Sequence, residues 1–146
     1  MTDRTDALKT LHTSLIDSRN GYDEAVKQAA GEGLTPLFQD MIALRTNAAN
    51  ELATHLLSLG EKADADGSFM STVHRTVIDL RSYITVLDAN VLPALISGEE
   101  RIVGYYDAAL EASAPADPEY AVLIDQRDAL KVKIRDMEVM HARAAA

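Results

Sequence analysis

TPLFQDMIALRTNAANELATHLLSLG, residues 35–60, sets Phe38, Met41, Leu44, Ala48, Leu52, Leu56 and Leu59 at three- and four-residue intervals. Residues so spaced lie over one another on a helix, whereas a strand would alternate every second residue. Thr35 before Pro36 reads as an N-cap with proline at the first helical position, where a missing amide hydrogen costs nothing. Gly60 stops the helix, as glycine does at helix ends. A long helix with one apolar stripe has to bury that stripe against another element, so the rest of the chain decides the architecture.

The flanking segments read the same way. Leu8, Leu11, Leu15, Tyr22, Ala25 and Ala29 share a line with Ser18 and predict a helix over about 5–30, ended by Gly31 and Gly33. GEKADADGS (60–68) is a polar, glycine-bounded loop. Phe69, Val73, Val77, Leu80 and Ile84 predict a shorter helix over 69–84. Pro93 is tolerated only in a first helical turn, so a new helix is expected over 90–113. Its apolar line is Leu92, Leu95, Ile96, Ile102, Val103, Tyr106 and Leu110, with Glu99 among them. ASAPADPE (112–119) is a turn in which Asp117 would cap and Pro118 would open the last helix, 118–143. That helix carries Tyr120, Leu123, Arg127, Leu130, Ile134, Met137 and His141 in near-heptads. No strand-type alternation competes.

The whole is all-α. Bundle helices of this length run roughly 37 Å. Short turns join the first to the second and the third to the fourth, which makes each pair antiparallel. The connection holding the 69–84 helix, about 24 Å of helix plus loops, is long enough to run the length of the bundle. One long crossover between two helical hairpins predicts a ferritin-like four-helix bundle with a short extra helix in the crossover. An up-down bundle with a fifth helix outside is the alternative.

A chain of 146 residues is one domain, and its 47% hydrophobic content supports a core. Net charge is -9, from 23 acidic and 14 basic residues. Phosphate backbones need a basic footprint, so nucleic acid is not an expected partner. The absence of cysteine removes disulfides and thiolate chemistry and fits a reducing cytoplasm. MTDRTDALKT, residues 1–10, has no apolar signal region, and no stretch nears the 18 or so apolar residues of a membrane span.

Several local patterns carry a resemblance. They are Gly21-Tyr22, Gly67-Ser68-Phe69 leading to His74-Arg75 and Asp79-Leu80-Arg81, and Gly98-Glu99-Glu100 followed by Tyr106 and Leu110. Together they resemble an uncharacterised bacterial family of ferritin-like four-helix-bundle proteins of unknown function, over nearly the whole chain. The resemblance implies the fold first, and a bacterial stress setting. It would place a glutamate at Leu44 and a histidine at Ile134; both are apolar here.

A ferritin-type dinuclear site takes a glutamate from each of two helices and a Glu-x-x-His pair from each of the others. This chain has one clean pair, Glu138 and His141. Ligands must share a layer, because each bond to the metal is about 2 Å. By helical rise Ser18 lies about 20 Å from the first turn, Arg45 about 18 Å and Glu99 about 20 Å, with Lys131 (or Arg127) near that level. Glu138 and His141 fall about 10 Å higher. The expected central layer is therefore Ser18, Arg45, Glu99 and Lys131, with Glu99 paired to Arg45 or Lys131 where a metal would sit.

Glu99, Glu138 and His141 remain the metal candidates, for iron or manganese, beside the reading of Glu138 and His141 as a solvated pair near a helix end. Glu51 and His55, four apart, read as an ordinary surface pair. His74 with Arg75 admits a phosphotransfer histidine, but the lysine-glycine expected soon after it is missing, which favours a structural histidine. Tyr105 and Tyr106 read as rim and core. No phosphate loop or nucleophile elbow is present. The expected function is a soluble, non-catalytic bundle without cofactor, acting through self-association as a homodimer or through a protein partner, with Ile16, Ile78 and Val132 as its apolar surface. The alternatives are a di-iron or di-manganese oxidase or metal-handling protein, and a histidine phosphotransfer bundle.

Overall fold

The computed structural model describes residues 3–29, 33–64, 69 and 89–145. Among them are four α-helices and no strand: α1 (Arg4–Ala29), α2 (Thr35–Ser58), α3 (Leu92–Ala112) and α4 (Tyr120–Ala145). A 3-10 turn, Ala89–Val91, leads into α3, with Pro93 inside its first turn. The helix expected over 69–84 lies outside the described residues, apart from Phe69.

Cross-helix contacts give the directions. Lys9 pairs with Glu61 at 3.3 Å and the Tyr22 ring meets the Phe38 edge at 5.0 Å, so α1 and α2 are antiparallel. Asp107 pairs with Arg127 at 2.9 Å and Ser113 lies 3.4 Å from Glu119, so α3 and α4 are antiparallel. Tyr22 reaches Glu99, while Arg4 at the start of α1 reaches Glu119 just before α4. Consequently α2 and α3 run the same way. α2 ends where α1 begins, and α3 starts at the other end of the bundle.

The stripes meet in one core. Leu8, Leu11 and Leu15 of α1 are fully buried, as are Phe38, Met41 and Leu52 of α2 and Leu92 and Leu123 of the other pair. Each such side chain contributes about 2 kcal/mol by leaving water. Ile16, expected on an outer surface, is buried instead. It lies one position past Leu15, and the core-facing arc of α1 is wide enough to take both. Val132 is exposed, and Ile78 is outside the described residues.

Helix ends follow local chemistry, with two departures. Thr35 is the first helical residue rather than the cap; Leu34 precedes it without a side-chain cap. Asp117 does not cap α4: its carboxylate accepts backwards from the Ala114 N–H at 2.7 Å, and α4 begins at Tyr120. Between these turns, Arg4 grips Glu119 with two charge-assisted bonds, Nη2 donating to Oε2 at 2.7 Å and Nε to Oε1. Those bonds hold the Glu119 carboxyl below the usual carboxylate range. A buried carboxylate is thereby paired, and the starts of α1 and α4 are tied together.

Gly60 closes α2 in a Schellman motif. It lies at φ +86°, with its own N–H on the Leu57 carbonyl (3.0 Å) and the Glu61 N–H on the Leu56 carbonyl (3.1 Å). A Cβ at Gly60 would meet nothing within 4 Å, so only backbone strain opposes a side chain. Gly60→Ala is expected to cost about 1 kcal/mol in chemical denaturation; an unchanged midpoint would show that the left-handed turn is not needed.

Candidate functional site

Three helices deliver polar side chains to one buried layer. Ser18 and Tyr22, four apart on α1, share its inner face. Arg45 comes from α2 and Glu99 from α3. Arg45 is 1% exposed and Glu99 3%. Arg45 Nη2 pairs with Glu99 Oε1, Tyr22 Oη donates to Glu99 Oε2 at 3.0 Å, and Arg45 Nε donates to Ser18 Oγ at 3.1 Å. One carboxylate thus receives a cation and a phenol, and the guanidinium is held from two sides.

Burial shapes the titration of this layer. Desolvation pushes the Tyr22 phenol up to about 12, against the pull of Arg45, so it stays a neutral donor. Desolvation also lowers Arg45 from its usual value, opposed by Tyr22 and Tyr106. Beside the layer the buried Tyr106 phenol is raised in the same way and donates to Gln126 Oε1 at 2.8 Å. Gln126 Nε2 in turn donates to the Ala48 carbonyl (3.3 Å) and to Glu51 Oε1 (3.0 Å), fastening α4 to α2 and α3.

The expected layer is therefore assembled in part. Ser18, Arg45 and Glu99 meet; Lys131 is exposed on α4, and Arg127 faces Asp107. The α4 residues whose levels match the layer point away from it, which a ranking by helical rise alone does not register. Glu138 and His141 are both exposed, whereas Glu99 is buried. Among the described residues no three His, Cys, Asp or Glu side chains are grouped to hold a metal ion. His74 lies outside the described residues. Glu51 is exposed and engaged by Gln126, and Tyr106 is buried while Tyr105 is half-buried.

Two residues carry only a spacing signal in the sequence. Tyr22 lies on the apolar line of α1, one turn from Ser18. His12 follows Leu8 by four and precedes Leu15 by three, a spacing that places it inside. It is 2% exposed, its ring meets the Phe69 edge at 4.8 Å, and one ring nitrogen bonds the Ala49 backbone carbonyl. Nδ1 has no hydrogen-bond partner among the described residues. Burial, aided by Arg19 and opposed by the Ala49 bond and Asp64, pushes its pKa down to about 4.

A family model described as domain of unknown function (DUF2383) matches residues 3–112, from just before α1 to the end of α3. No curated protein and no solved structure matches the chain.

Two stability measurements test these assignments. Removing either member of the buried pair strands the other charge, so Arg45→Met and Glu99→Leu are each expected to cost about 3–5 kcal/mol. The double variant should lose far less than the sum, and additive losses would contradict direct pairing. For His12, the folded pKa lies below the unfolded value of about 6.5. Its contribution is thus full above pH 6.5 and is lost as pH falls toward 4, by about 3 kcal/mol. Urea titrations should show this slope in the native chain but not in His12→Leu; parallel slopes would contradict a buried neutral imidazole.

Proposed function

This chain belongs to the DUF2383 family, and we propose that it is a ferritin-like bundle whose central layer is closed by an internal ion pair rather than a metal centre, so that it works by association rather than by chemistry. The matched span holds all four members of the layer, Ser18, Tyr22, Arg45 and Glu99. Parallel α2 and α3, flanked by antiparallel α1 and α4, support the ferritin-like reading. The resemblance to an uncharacterised bacterial family suggests a stress-related setting inside the cell. No helix among the described residues is long and apolar enough to cross a membrane.

The observation that carries the proposal is the buried Arg45–Glu99 pair. A dinuclear centre needs several carboxylates facing inward. Here the layer offers one carboxylate, already neutralised, with a guanidinium, a phenol and a hydroxyl around it. A guanidinium is a permanent cation without a lone pair to donate, and it repels a second cation. The residues present do not fit the metal centre that a ferritin-type bundle implies, and no reaction step is derived through one.

Elemental analysis of freshly purified protein should find iron and manganese well below one atom per chain, and neither ion should shift the melting temperature. Stoichiometric metal, or marked stabilisation by either ion, would overturn the proposal.

A further inference from the structure

The four buried residues of α4, Leu123, Leu130, Ile134 and Met137, lie within one narrow arc. At about 100° per residue, the opposite face carries Ala121, Asp125, Asp128, Val132, Arg135, Asp136, Val139 and Arg143, all exposed. Val132 is 53% exposed and Val139 48%, two of three large apolar side chains so exposed among the described residues. The third, Leu57, lies on α2, away from this face. The ends of this face carry opposite charges, acidic at Asp125 and Asp128 and basic at Arg143, and between them Val132 and Val139 flank Arg135 and Asp136. Asp128 touches Arg127 at 3.5 Å yet keeps 61% of its side chain exposed.

We infer that this face of α4 binds a second copy of the chain through α4 itself, with the two helices antiparallel about a two-fold axis close to Arg135. The inference rests on the self-association reading above and names its surface. A parallel pair would set Asp125 against Asp125 and Arg143 against Arg143. An antiparallel pair sets Asp125 against the partner's Arg143 at both ends, because a two-fold interface repeats each contact. The same axis brings Val132 beside the partner's Val139 and, on one flank, Lys131 level with the partner's Glu138. Arg135 meets its symmetry mate near the axis on one flank, where the partner's Glu138 offsets the repulsion, and Asp136 meets its own mate on the other flank. Apolar contact between the two valine pairs on either side of the axis supplies the attraction, and the charges at the two ends choose the orientation. One helix pair buries less than the roughly 800 Å² per partner of a standard interface, so the dimer is a weak, concentration-dependent one.

Sedimentation equilibrium over a concentration series tests this. The native chain should dimerise in the micromolar range, and Val132→Asp should weaken the dimer at least about tenfold. Arg143→Asp should weaken it, while Asp125→Arg with Arg143→Asp should restore it, because the swap rebuilds both pairs. All these positions are exposed, so melting curves recorded at concentrations where the chain is monomeric should not change. The chain has no cysteine, so engineered ones report cleanly. Mixed Val132→Cys and Val139→Cys proteins should cross-link to each other on oxidation, and each alone far less. A chain that stays monomeric at millimolar concentration overturns both this inference and the self-association reading. A dimer indifferent to Val132→Asp and the charge swap overturns this face and leaves self-association standing.

Discussion

A guanidinium and a carboxylate held out of water between three helices constrain everything packed around them. Neither charge is tolerable alone at that depth, so α2 and α3 must present Arg45 and Glu99 at the same level. Tyr22 and Ser18 occupy remaining bonding positions of the pair, which fixes α1 as well. A slide of one helical turn, about 5.4 Å, would separate the charges and strand both. Leucine contacts alone discriminate poorly between such registers, since one leucine packs much as another does. The pair therefore selects one alignment among several that would bury similar apolar area, at some expense in raw stability. Tyr106 and Gln126 extend the constraint to α4.

Much of this was legible in the sequence. Helical period, glycine stops and proline positions located all four helices to within a few residues, because those signals are local. Glu99 stood out as a charge on an apolar line, and helical rise placed it level with Ser18 and Arg45. The direction in which a side chain leaves its helix was harder. Lys131 shares the level of the layer but points outward, because the inner arc of α4 is set by Leu130 and Ile134 on either side of it. The side-chain bond of Asp117 was also hidden: a carboxylate before a proline reads as a cap, yet the nearer unpaired N–H was that of Ala114. Tyr22 fits the apolar line because an aromatic ring satisfies that pattern while carrying a bonding group inside. His12 has the same inward spacing, but a histidine at such a position does not by itself show that it is buried and neutral.

The same division of labour runs outward to the surface. Polar groups inside are matched to one another within the chain, which leaves no inward-facing set of ligands among the described residues. The acidic net charge keeps copies apart in general. Against that background the outer face of α4, with opposite charges at its two ends and two exposed valines, is the surface proposed for a second copy.

Anomalous diffraction from crystals grown with excess manganese separates a Glu99 held by Arg45 from a Glu99 that binds metal. The expected result is continuous density from the Arg45 guanidinium to the Glu99 carboxylate, with no anomalous peak in that layer. A manganese peak about 2 Å from a Glu99 oxygen, with the Arg45 side chain displaced, would contradict it.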